Sequence, residues 1–214
     1  MNVFVTALQL DNTQLAFVII VPIVVLLFLG VCIFIPVNAA YKRRNFQIHF
    51  YKKVYRIALN HDFYLINQFV FKVDTNKQAV VDHILFGDKY IYVILSTFYE
   101  GDLVGKYADK SLIFISHKGK KCYTDNPINN VKYLASRLSS ATGIDASMMI
   151  GIVLINDDCH VAVESESKQF YIIQRKRLDA LVKAIESRPV SPINEKELGK
   201  AVQAIAKLNK RKKE

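Results

Sequence analysis

DHILFGDKYIYVILSTFYEG, residues 82–101, is the stretch on which the fold turns. Two runs rich in aliphatic, β-branched and aromatic residues, AVVDHILF and KYIYVILST, flank Gly87-Asp88, the kind of short break that closes a β-hairpin. The first run carries an acid, Asp82, beside His83 on an otherwise apolar strand. Such a carboxylate is either a strand-end acceptor for neighbouring backbone or one half of a metal site. Alternation of side chains along a strand puts His83 on the face opposite Asp82, as a core histidine.

The flanking sequence extends the hairpin into a sheet with helices. Upstream, Phe46, Phe50, Val54 and Ile57 recur at helical spacing and predict an amphipathic helix ending near Asn60. YLINQFVFKV, Tyr64 to Val73, reads as a strand closed by Asp74, Thr75 and Asn76. Downstream, SLIFISH (residues 111–117) predicts another strand that Gly119 helps to leave. Asn126 and Pro127 then supply a cap and first-turn residue for a helix with Val131, Leu134 and Leu138 on its apolar face, which Gly143 ends. MMIGIVLIN suits a buried strand, HVAVE and QFYIIQ add two more, and residues 177–188 form a helix stopped by Pro189. Asn194 with Glu197 opens a last helix striped by Leu198, Val202, Ile205 and Leu208. The expected class is α+β or mixed α/β.

Ahead of this lies LAFVIIVPIVVLLFLGVCIFI, residues 15–35, 21 residues without a charge. That length matches the roughly 20 residues needed to cross a hydrocarbon core. A cleaved signal peptide is the competing reading, with Val37-Asn38-Ala39 as its small-residue site. Against it, the apolar run exceeds the ~7–15 residues of a signal's core and no Lys or Arg precedes it. Lys42, Arg43 and Arg44 follow the span, with Lys52 and Lys53 beyond, which predicts a single pass with the N-terminus outside and the C-terminal side in the cytoplasm. The expected organisation is an extracytoplasmic segment at 1–14, a transmembrane helix at 15–35, a folded domain at 42–188, and a linker with a basic helix at 189–214.

Residues 1–40 hold one acid and no Lys or Arg, so the remainder carries 29 basic against 18 acidic residues, a net charge of +11. Such a domain attracts anionic lipid headgroups or nucleic acid. Beyond the juxtamembrane group, the cations cluster at Lys118, Lys120 and Lys121 and at Lys210, Arg211 and Lys212. The terminal cluster lies on a membrane, grips phosphates, or complements its own helix dipole. Three cysteines, Cys32, Cys122 and Cys159, give no paired framework and no C-x-x-C spacing, which fits a reducing compartment and no structural zinc. DDCH at 157–160 reads as a polar turn. No phosphate loop or nucleophile elbow is present in the sequence.

VVDHILFGDKYIYVILSTFYEG resembles the central motif of the NERD, or nuclease-related, domain: Asp-His on one strand, then a strand ending in Glu-x-Lys, an aromatic and Gly. NPINN, residues 126–130, is similar to the Asn-Pro-(Ile/Leu)-x-Gln segment that opens that family's next helix. The resemblance runs from Phe46 to Val161 and implies a restriction-endonuclease-like sheet of the PD-(D/E)xK type. In that chemistry two carboxylates hold Mg²⁺ while a Lys positions water and offsets charge at phosphorus. Matched on Gly101, the family's Glu falls at Leu95 and its Lys at Thr97, the upstream acid falls at Tyr51 and the glutamine at Asn130. Asp82 alone is retained. Together with the apolar span, the resemblance therefore implies a membrane-anchored, nuclease-like domain without hydrolysis and with no cofactor, which binds nucleic acid or organises partners. Two alternatives stand beside it: an active Mg²⁺ nuclease whose ligands have moved to Glu100, Asp102 or Lys106, and a purely structural membrane protein.

Overall fold

The computed structural model describes residues 12–74, 77–164 and 167–210. The chain divides into two compact units, Met1–Asn45 and Phe46–Glu214. One helix, α1 (Asn12–His61), contributes to both. Within the first unit its segment Ile20–Asn38 has a mean hydropathy of 3.0 with none of it buried, and is long and apolar enough to cross a membrane, a property that signal sequences share. Expectation had two helices here. The sequence between them holds neither a glycine nor a proline after Pro36, so nothing in it breaks the backbone ladder before His61.

The second unit opens with the end of α1, where Asp62 takes a left-handed φ of 57° and the Phe63 N–H bonds to the Ala58 carbonyl. Strands β1 (Tyr64–Asp74), β2 (Lys77–Phe86) and β3 (Ile91–Thr97) form an antiparallel meander. The expected turn residues Thr75 and Asn76 lie outside the described residues. The chain then leaves for a second sheet with β4 (Gly101–Lys106), β5 (Ser111–Ser116) and β6 (Lys121–Asp125), runs through α2 (Pro127–Thr142), and returns as β7 (Met149–Ile155), parallel to β3. Strand β8 (Val161–Glu164) joins the second sheet, β9 (Phe170–Gln174) the first, and α3 (Leu178–Glu186) and α4 (Glu195–Leu208) complete the unit. The strand orders are β1-β2-β3-β7-β9 and β6-β5-β4-β8. This is the mixed α+β architecture that the sequence predicts, with β4 and β6 added.

The first sheet is buried on both faces, which is why β3 and β7 read as unbroken apolar runs. Ile91, Val93, Leu95, Val153 and Ile155 face one core, shared with α2, α4 and the second sheet. Tyr92, Ile94, Ile150, Ile152 and Leu154 face the other, against Phe50, Val54 and Ile57 of α1 and Leu178, Val182 and Ile185 of α3. Each such large apolar side chain contributes about 1.5–3 kcal/mol on burial.

Helix α2 begins and ends as predicted. The Asn126 side chain accepts from the Ile128 N–H, Pro127 occupies the first turn, and Gly143 ends the helix at φ 72°. In α4, Asn194 caps through the Lys196 N–H, and Leu198, Val202, Ile205 and Leu208 pack into the core beside α2 and β1. Just past α4, the Asn209 Oδ1 accepts from the Val70 N–H at 3.2 Å and the Lys210 N–H donates to the Val70 carbonyl at 2.6 Å.

Candidate functional site

A slip in alternation builds the site. In β1, Ile66 and Phe69 both face the core shared with α2, and in β2, Val81 and Ile84 do the same, although in each case the two lie three residues apart. Regular pleating would place them on opposite faces. The intervening doublets, Asn67-Gln68 and Asp82-His83, therefore both turn to the other face. The strands slip together: Ile66 still pairs with Ile84 and Phe69 with Val81, so the register is kept, while Gln68 takes a φ of 49° and drops out of the ladder. A left-handed residue other than glycine costs of order 1 kcal/mol or more and is held by its surroundings.

The doublets open into a cleft of about 650 Å³ whose other lining comes from Gln47, Ile48 and Tyr51 of α1, Val70, Val80, and Ser96 of β3. His83 thus shares the cleft with Asp82, against the opposite-face expectation, because the paired slip cancels one step of alternation. Its Nδ1 lies 2.7 Å from the Asn67 Oδ1. An amide oxygen only accepts, so the ring proton sits on Nδ1 and Nε2 is left as an acceptor. Burial lowers the His83 pKa to about 4, keeping the imidazole neutral.

Asp82 is half-buried. Burial pushes its carboxyl above the ordinary aspartate value, while the Ser96 N–H, donating to Oδ2 at 2.6 Å, pulls it back. The Ser96 hydroxyl is buried without a hydrogen bond among the described residues, and none of them hydrogen-bonds the side chains of Gln47, Gln68 or the Tyr51 hydroxyl. The described lining holds one carboxylate and no Lys or Arg. Mg²⁺ sites of the phosphoryl-transfer kind use one or two carboxylates together with substrate oxygens, and nuclease chemistry adds a cation near the phosphate. Asp82 supplies the single carboxylate that such a site can use, but the described lining brings no Lys or Arg to a phosphate, and among the described residues no group of three or more His, Cys, Asp or Glu could hold a metal ion.

The other sequence-derived positions are spread through the domain. Leu95 is buried in the core on the α2 side, and Thr97, paired with Ile155, is outside the cleft lining. Tyr51, at the place of the upstream acid, is in the lining; Asn130 is exposed on α2. Glu100 and Asp102 stand at the start of the second sheet, where the Glu100 carbonyl accepts from the His117 N–H and the Asp102 Oδ1 from the His160 N–H. Lys106 ends β4. Lys118 and Lys120 are exposed in the β5–β6 turn with Lys121 on β6, outside the cleft lining. Lys210 is exposed beyond α4, and Arg211 and Lys212 lie outside the described residues. Asp157 of the DDCH turn pairs with Arg175 at 2.5 Å and accepts from the Lys176 N–H, a structural clasp.

Gln47, Asn67, Gln68 and Ser96 escaped sequence reading. The doublets NQ and DH, each spacing two core residues three apart in facing strands, were the signal.

The pH dependence of stability follows from His83. Between pH 6.5 and about 4 the unfolded chain takes a proton that the folded chain refuses, so the contribution is complete above 6.5 and is lost as pH falls through that window. The slope approaches about 1.4 kcal/mol per pH unit. Urea midpoints measured at pH 7.5 and 5 should fall less for His83→Gln than for the parent.

The meander delivers an Asp-His pair to a cleft beside one helix, and an Asn-Pro start opens the next. The chain belongs to the NERD family, the nuclease-related domain, whose sequence profile matches residues 47–156. Among solved structures it is similar to a protein of unknown function, AF1548, at 11% identity over 73% of this chain and 78% of that one, with a TM-score of 0.34. No curated protein matches it.

Proposed function

We propose that the chain is a membrane-tethered NERD module that binds nucleic acid at the Asp82 cleft without cutting it. The observation that carries this is the composition of the cleft: Asp82 among carboxamides, a neutral imidazole and a hydroxyl, with no second carboxylate and no Lys among the described lining residues to complete a hydrolytic set. The Ile20–Asn38 segment is the tether. Lys42, Arg43 and Arg44 attract anionic headgroups and keep the domain on the cytoplasmic side, with the N-terminus outside. The net charge of +11 beyond residue 40 supports phosphate contact outside the cleft, with Lys118, Lys120, Lys121 and the terminal cations as its candidates.

The test uses the full chain in lipid nanodiscs with labelled single- and double-stranded DNA and RNA in Mg²⁺ or Mn²⁺. No cleavage is expected, and retention of at least one of these ligands should weaken steeply between 50 and 200 mM salt. Cleavage that disappears in Asp82→Ala would overturn the reading and return attention to Glu100, Asp102 and Lys106.

A further inference from the structure

We infer that the cleft takes a single unpaired nucleobase, held edge-on by Asn67, Gln68, Gln47 and Asp82, with the sugar and phosphate left outside. The inference rests on the nucleic-acid reading above and names which part of the ligand enters.

The lining disfavours a phosphate and a purely apolar group. A phosphate would sit beside the Asp82 carboxylate with no Lys or Arg in the described lining to offset its charge. A purely apolar group would strand the amides of Gln47 and Gln68, the Asp82 carboxylate and the buried Ser96 hydroxyl. A base satisfies both limits: it is uncharged, planar, and carries alternating donors and acceptors along one edge. Asn and Gln carboxamides pair with such edges in two-point fashion, and an Asp carboxylate accepts from an exocyclic amine. The bare His83 Nε2 adds a further acceptor.

Size and stacking agree. A cleft of about 650 Å³ falls within the ~300–1,000 Å³ of small-molecule pockets. The Tyr51 ring stands at its wall, stacked on Tyr55 with centroids 5.7 Å apart and tilted against His83 at 6.3 Å, and brings aromatic surface to the cleft where a base enters. A paired base has its edge already occupied, so the base must come from a single strand or a loop. Acceptors at Asp82 and His83 favour bases with an exocyclic amine, adenine, cytosine and guanine, over uracil.

The experiment measures binding of fluorescein-labelled 12-nucleotide single strands to the full chain in phosphatidylcholine nanodiscs, comparing oligo-dA with an abasic strand of equal length. The abasic strand should bind about tenfold more weakly. Gln68→Gly is the decisive variant, because glycine accepts the φ of 49° without strain and the fold is retained while the carboxamide is lost. In that variant and in Tyr51→Ala the gap between the two strands should shrink to about twofold. Free adenosine and cytidine should displace the dA strand at lower concentration than uridine. Equal binding of the base-bearing and abasic strands, or a gap untouched by Gln68→Gly, overturns the inference and leaves the nucleic-acid reading standing. Binding of no DNA or RNA in the preceding experiment overturns both.

Discussion

Gly101→Ala is expected to destabilise the domain by about 3 kcal/mol or more, through overpacking against backbone that cannot move aside. A methyl group at this position would run into the Ile115 carbonyl oxygen and stand 2.8 Å from the Ser116 Cα and 2.9 Å from the Ile115 carbonyl carbon. All three atoms belong to β5, which pairs with β4 at Gly101 and Ser116. Relief would mean unzipping the start of β4, and with it the step by which the chain passes from the first sheet to the second. Thermal unfolding followed by circular dichroism, in detergent and at one protein concentration, should show a fall of about 6–12 °C for a domain of this size. Gly199, on α4 with open space around its Cβ position, is the control, and Gly199→Ala should be neutral or slightly stabilising. A wild-type melting temperature for Gly101→Ala would mean that β5 does not approach β4 as described.

Asn126→Ala is expected to cost about 3 kcal/mol, the sum of a lost helix cap and two lost hydrogen bonds to the β4–β5 loop. Asn126 is only 2% exposed. Its Oδ1 accepts from the Ile128 N–H at 3.0 Å, and its Nδ2 donates to the Tyr107 and Asp109 carbonyls at 3.2 and 2.9 Å. One side chain therefore starts α2 and ties down the loop between β4 and β5. Asn126→Asp keeps the cap oxygen but loses the donor, so its urea midpoint should fall between parent and alanine variant. An aspartate as unstable as the alanine would show that the loop bonds, not the cap, carry the stability.

Both residues come from the motifs through which the sequence resembles its family, and in both the role is architectural. That explains what was legible in advance. The hairpin, the buried β7, the Asn-Pro start and Gly143 end of α2, and the α4 cap are local chemistry: turn formers, capping side chains and apolar periodicity, each confined to a few neighbouring residues. Strand β4 was missed because GDLVGK carries two glycines and two charges and gains its place only from pairing with β5 and β8. Strand β6 was missed because KCYTD is exposed along most of its length and has no inward face to betray it.

The site was half legible for the same kind of reason. Asp82 declares itself as an acid on an apolar strand, but its companions depend on a slip shared by two strands, which neither strand reveals alone. Matching on Gly101 placed the family's Glu at Leu95, and that side chain turns into the core on the α2 side, whereas the β3 residue that reaches Asp82 is Ser96, through its backbone N–H. Regular alternation cannot anticipate this, since Asp82 sits where the β2–β3 pairing has already ended at His83 and Ile94.

The bonds from Asn209 and Lys210 to Val70 carry one more consequence. Strand β1 is an outermost strand of its sheet, and Val70 lies midway along it with both backbone groups directed outward. Exposed strand borders recruit foreign strands, and the residues just past α4 block that border beside the cleft. A chain cut after Leu208 would keep every described helix and strand yet present a sticky margin, at which two copies pair edge to edge.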